Sequence, residues 1–221
     1  MIPLGDDVRK KSTPLVTMML VAANVIAFVY SLLSDFDRMV LNSGFKPVYL
    51  FELSRLETLL TSLFLHAGLA HLAGNMIFLY IFGRSVEDRL GALTYFTLYL
   101  ISGIAGNLLH AASLLLLPSQ LLAKELETPL VGASGAISGV IGAYVVLYPH
   151  SRIFTLVPFY YVIVIRVPAR LYVLAWFIYQ IAIGVLSLRL PISIAAWAHV
   201  GGFFAGALLA SAVQKSRSTA L

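Results

Sequence analysis

Three short stretches of this sequence gather residues able to do chemistry in places where polar groups are costly. The first is Phe64-Leu-His66-Ala-Gly-Leu-Ala-His71-Leu-Ala-Gly-Asn75-Met76. His71 and Asn75 are four residues apart and share one face of a helix. His66 falls roughly one turn earlier, or in the loop entering that helix. The second stretch is Gly132-Ala133-Ser134-Gly135-Ala136-Ile137-Ser138-Gly139, which follows Pro129 and opens a helix. Ser134, Ser138 and Gly142 form a small-residue stripe along which another helix can come very close. The third is Ala198-His199-Val200-Gly201-Gly202-Phe203-Phe204-Ala205-Gly206, where Gly202 and Gly206 repeat the close-approach spacing beside His199.

Each stretch alone has two readings. Polar groups in apolar helices often do no more than hydrogen-bond to a neighbouring helix, at about 1 kcal/mol or less. Taken together, they supply one set of reacting groups. A serine hydroxyl is a poor nucleophile near neutral pH unless a base takes its proton, and a neutral histidine is the usual base. If the glycine faces of the second and third stretches pack together, His199 and Ser134 come within hydrogen-bonding distance. His71, Asn75 and the Ser134 N–H, at a helix N-terminus, could then stabilise a developing oxyanion. No Asp or Glu lies in an apolar run to orient His199, so the expectation is a dyad. A metal site would need a third ligand from another helix, because no carboxylate accompanies the histidines. The absence of cysteine excludes thiolate catalysis and disulfides.

The elements that must position these groups are membrane helices. The chain has 221 residues, of which 60% are hydrophobic and 11% charged, whereas a soluble domain carries roughly a quarter charged residues. Asp, Glu, Lys and Arg are absent from residues 12–34, 58–83, 90–123, 128–151, 171–188 and 190–214. A spanning helix needs about 20 apolar residues, so six spans are expected, the first a retained helix and not a secretory signal. This is an all-α integral membrane fold, a six-helix bundle. The expected layout is a cytoplasmic segment 1–13, a membrane domain 14–213 and a cytoplasmic tail 214–221, with both ends solvated. Six spans place ten of the 15 lysines and arginines on one side, so both termini are expected in the cytoplasm. The net charge of +5 follows from that bias and calls for no nucleic acid. No regular repeat is visible, which weakens a transporter built on duplicated halves.

Two segments fit no span. Asp35–Glu57 mixes charges with Phe45, Val48, Tyr49 and Phe51 and reads as a partly embedded interfacial loop. In Ile153–Arg170, Pro168 disfavours helix at the preceding residue. The fifth span therefore starts near Ala169, with the apolar residues before it lying along the cytoplasmic interface.

The order His66…His71…Asn75, then Gly132-x-Ser134-Gly135, then Ala198-His199-x-x-Gly202-x-x-x-Gly206 resembles the rhomboid intramembrane serine proteases, as does Phe82-Gly83-x-x-x-Glu87-x-x-x-Gly91. The likeness runs from Thr58 onward. It implies a bundle with a membrane-embedded first loop, Ser134 as nucleophile and His199 as base. It also implies an oxyanion site of His71, Asn75 and the Ser134 N–H, with His66, Gly132, Gly135, Gly202 and Gly206 in support. The implied activity is hydrolysis of peptide bonds in or near transmembrane helices of other membrane proteins. That reaction needs no cofactor, no metal and no oligomer, and its partners are the substrate and the bilayer. The expected location is the plasma membrane of a prokaryote. A silent relative and a small transporter or channel are the rival readings. Where many relatives carry Trp-Arg ahead of the first histidine, this chain has Glu57-Thr58. Where many carry an aromatic one turn after the serine, it has Ser138, which leaves Tyr144 or glycine packing to support His199.

Overall fold

The computed structural model describes residues 2–158, 162–189 and 195–219. Helices dominate. In chain order the elements are β1 (Ile2–Asp6), α1 (Leu15–Leu33), α2 (Phe36–Ser43), α3 (Val48–Glu52), α4 (Thr58–Thr61), a 3₁₀ turn at Ser62–Phe64, α5 (Leu69–Leu90), α6 (Ala92–Leu114), α7 (Ser119–Glu127), α8 (Ser134–Leu147), β2 (Arg152–Pro158), β3 (Val162–Pro168), α9 (Ala169–Ser187) and α10 (Ala196–Thr219).

Five helices, α1, α5, α6, α9 and α10, are long and apolar enough to cross a membrane. The sixth expected span, α8, has only 14 residues. At 1.5 Å per residue it is about 21 Å long, short of a hydrocarbon core of about 30 Å. Its length is offset by its position, because nearly every α8 residue after Ser134 is buried among α5, α6 and α10. The outer faces of α1, α9 and α10 instead expose Met19, Ile26, Leu174, Ile178 and Leu208, the apolar surface a lipid-facing helix requires. Helix α9 starts at Ala169, where the proline placed it.

The pattern Phe82, Gly83, Glu87, Gly91 has a local explanation. The Glu87 carboxylate caps α1 from a neighbouring helix, accepting from the Val16 and Thr17 N–H groups at 2.8 Å and from Thr17 Oγ1 at 2.7 Å. Those donors have no intrahelical partner, and the negative charge also suits the helix N-terminus. A Cβ on Gly83 would overlap the Tyr95 hydroxyl. Gly91 turns α5 into α6 at φ +87°, a conformation glycine adopts without a steric penalty.

A three-stranded sheet in the order β1-β2-β3 was not foreseen from the sequence. Its strands pair antiparallel, with Ile2 opposite Leu156 and Ile153 opposite Val167. The expected solvated N-terminus is therefore partly structured. The Asp6 carboxylate is buried, accepts from Ser85 Oγ at 2.6 Å, and pairs with Lys10 and with Arg84. At the other end α10 continues through Thr219, past the expected start of the tail at 214; residues 220–221 lie outside the described residues.

The first loop forms two short helices, α2 and α3, and its attachments do not need a tryptophan–arginine pair. Phe45 is fully buried and bridges to Leu130. Thr61 Oγ1 donates to the Ser43 carbonyl at 2.8 Å, Arg55 donates to the Asn42 carbonyl, and Lys46 pairs with Glu127 at 3.2 Å.

Candidate active site

Packing between α8 and α10 creates the site. A Cβ added to Gly202 would overlap the Gly135 carbonyl, and one on Gly206 the Gly139 carbonyl. The two backbones are therefore in contact along the stripe of small residues, as helices in lipid pack when side chains leave room. The contact brings Ser134, the first residue of α8, beside His199, in the first turn of α10. Ser134 Oγ lies 2.8 Å from His199 Nε2.

The Ser134 N–H has no intrahelical acceptor, because Ser134 opens its helix. Immediately before it, Gly132 takes φ +130°. A Cβ there would meet His71 Cε1 at 2.8 Å, so glycine lets this backbone stand against the imidazole. The Gly132 N–H donates to the Ser62 carbonyl at 2.9 Å, and Asn107 Nδ2 holds Ser62 Oγ and the Leu59 carbonyl at 3.1 Å each. The 3₁₀ turn is thereby fixed between α6 and the segment leading to Ser134.

On α5, Asn75 Nδ2 lies 2.9 Å from His66 Nε2. Burial, reinforced by the neighbouring His71, pushes the His66 imidazole down from 6.5 to about 4. Neutral near pH 7, its Nε2 can accept from Asn75. An amide carries two N–H donors, so one remains after that bond. His66 and His71 meet edge to face, with centroids 5.1 Å apart.

His71, Asn75, Ser134, Trp176, Gln180 and His199 line one cavity of about 260 Å³. That is room for several waters at about 30 Å³ each. The cavity sits at the end of the bundle where α5 and α8 begin. Both helices run from there toward Arg89 and the sheet, on the basic side. Among the described residues no group of His, Asp or Glu side chains is arranged to hold a metal ion.

Three participants escaped the sequence reading. Of the two supports expected for His199, Tyr144 or the glycine packing, Tyr144 is engaged elsewhere: its hydroxyl pairs with Ser151 Oγ at 2.9 Å and its ring packs on Phe82 at 4.9 Å. Ser138 turns back on its own helix and donates to the Ser134 carbonyl at 2.6 Å. The contacts to His199 come from α9 instead. Gln180 Oε1 is 2.7 Å from His199 Nδ1, and the Trp176 ring lies 6.3 Å from the imidazole. The third is Asn107, described above. A signal for Gln180 was present, since it is an amide in the middle of the uncharged run 171–188.

The fold and this constellation define a rhomboid-like helical membrane protein. The rhomboid domain model matches residues 53–216, and the chain belongs to the rhomboid family. Rhomboid protein 1, mitochondrial, of Saccharomyces cerevisiae is 38% identical over 96 residues, 43% of this chain and 26% of that protein. RHOMBOID-like protein 12, mitochondrial, of Arabidopsis thaliana is 30% identical over 212 residues, 91% of this chain and 59% of that protein. Inactive rhomboid protein 1 of Drosophila melanogaster is 38% identical over 93 residues, 42% of this chain and 6% of that protein. The matches thus span less than two thirds of each of these relatives. The first two are named mitochondrial, so they lend no support to a prokaryotic plasma membrane.

Proposed function

We propose that this chain is an intramembrane serine endopeptidase that cleaves peptide bonds in or near transmembrane helices of other membrane proteins. The observation that carries the reading is the 2.8 Å contact between Ser134 Oγ and His199 Nε2 at the edge of the cavity that His71, Asn75 and Gln180 also line. In this mechanism Ser134 Oγ attacks the scissile carbonyl carbon while its proton passes to His199 Nε2. The resulting oxyanion accepts from the Ser134 N–H, the spare Asn75 N–H and His71. His199 returns the proton to the leaving amine, and the acyl group stays on Ser134. A cavity water, deprotonated by His199, then releases the acid product.

The substrate class follows from the same physics. A peptide bond inside a helix is hydrogen-bonded and shielded, so a segment with small or helix-breaking residues reaches Ser134 most readily. The site lies at the end opposite the one that carries ten of the 15 lysines and arginines, and in this reading it faces the non-cytoplasmic leaflet. Residues 14–213 act as one membrane domain in this reading, with the cavity as the route for water. No metal, cofactor or second copy enters any step.

A catalytically silent relative is the second reading, because one of the matched proteins is named inactive. Cleavage of a labelled single-span substrate in liposomes separates the two. The native protein should cleave, and Ser134→Ala and His199→Ala should each lose about a thousandfold or more. Cleavage that survives in Ser134→Ala would sink the mechanism.

A further inference from the structure

We infer that Gln180 is a positioning residue that holds His199 with its proton on Nδ1 and its Nε2 lone pair toward Ser134, so that the dyad works as a serine–histidine–glutamine array. The inference rests on the serine endopeptidase reading. Gln180 is 5% exposed, and an amide in an apolar bundle is costly unless its hydrogen bonds are made. The partner it has is the one imidazole nitrogen that does not face the serine, at 2.7 Å. An imidazole that accepts from Ser134 Oγ at Nε2 must carry its proton on Nδ1, and that N–H needs an acceptor. Gln180 Oε1 is placed to be it. The opposite amide orientation would make Nδ1 the acceptor and put the proton on Nε2, leaving no base beside the hydroxyl.

The helix is built to keep the amide there. Trp176, Gln180 and Gly184 are spaced at four-residue intervals and form one stripe facing α10. One turn past the amide, Trp197 Nε1 donates to the Gly184 carbonyl at 3.0 Å. A Cβ on Gly184 would stand 3.1 Å from the Trp197 ring. One turn before it, the Trp176 ring lies beside the imidazole, tilted by 36° with centroids 6.3 Å apart. When the serine proton arrives on Nε2, the Oε1 dipole stabilises the imidazolium through Nδ1–H without adding a buried charge. An ordinary interhelical hydrogen bond would contribute to packing and leave reactivity untouched. That difference is measurable.

The test compares native protein, Gln180→Leu, Gln180→Glu and Ser134→Ala by their rate of labelling with a fluorophosphonate, which reports serine reactivity without a peptide substrate. Gln180→Leu should label about 10- to 100-fold more slowly, the scale of losing a buried acceptor, with its thermal midpoint close to native. Gln180→Glu keeps an acceptor oxygen in either protonation state and should label within about threefold of native. Nitrogen-15 spectra of histidine-labelled native protein should find His199 as the Nδ1–H tautomer. A native labelling rate in Gln180→Leu, no rescue by Gln180→Glu, or an Nε2–H tautomer would each overturn the inference while leaving the endopeptidase reading standing. No labelling of the native protein would overturn that reading, and the inference with it.

Discussion

The two sides of the cavity are held in different ways. Ser134 and His199 are brought together by backbone contact: Gly135 against Gly202 and Gly139 against Gly206 leave no side chain between α8 and α10. The groups around them are held by side-chain hydrogen bonds: Asn75 to His66 on one flank, Gln180 to His199 and Trp197 to Gly184 on the other. Backbone contact fixes a distance, because it admits few alternative arrangements. Side-chain contacts fix direction and tolerate local change. The glycine seam therefore sets the nucleophile–base distance, and the flanks tune the reaction.

Breaking the seam should have the largest effect. In Gly206→Val the new side chain overlaps the Gly139 backbone, which cannot yield as a flexible side chain would. Overpacking typically costs about 1–3 kcal/mol, and here the strain also drives Ser134 from His199. Thermal unfolding and fluorophosphonate labelling should fall together. A variant that is less stable yet labels at the native rate would show that the seam does not set the distance.

The α5 flank should behave differently. Asn75→Ala leaves the seam intact and removes an oxyanion donor, so kcat should drop by about 100- to 1000-fold with a smaller change in KM. Equal losses in the thermal midpoint and in kcat would place Asn75 in the packing and not in the reaction.

His66 offers a pH test of the same flank. Its folded-state value of about 4 lies below the ordinary 6.5, so the unfolded chain binds more protons between these limits. The stabilisation is present above pH 6.5 and is lost as pH falls toward 4. His66→Gln should flatten that part of the stability curve relative to native protein. An unchanged slope would mean that the imidazole is not held neutral by its surroundings.

The smallest effect is expected on α9. In Gly184→Ala the Cβ meets the Trp197 ring at 3.1 Å, and a half-buried indole can shift by the few tenths of an ångström required. Stability should change by less than about 1 kcal/mol, with a modest loss of labelling as Gln180 moves. A collapse as severe as that of Gly206→Val would erase the distinction between seam and flank.

The same distinction explains what could be read in the sequence. Glycine spacing and the positions of Ser134 and His199 are local patterns that survive in one dimension, and they point to the α8–α10 contact. The short length of α8 was hidden, because the uncharged run 128–151 begins in a loop and only residues 134–147 are helical. Gln180 stayed hidden because the group that orients a catalytic histidine is usually a carboxylate, although a neutral amide can accept the same N–H. The sheet could not be inferred. Ile2-Pro-Leu-Gly-Asp6 carries three poor strand formers, Pro3, Gly5 and Asp6, and its partner lies some 150 residues away. Asp6 could not be matched to Ser85 and Arg84 without that pairing.

The most direct test of the central claim is to map the fluorophosphonate adduct by peptide mass spectrometry in native protein and in His199→Ala. A single adduct on Ser134 that disappears in His199→Ala would establish an activated serine dependent on its neighbouring histidine. An adduct on another residue, or undiminished labelling of Ser134 without His199, would contradict the account.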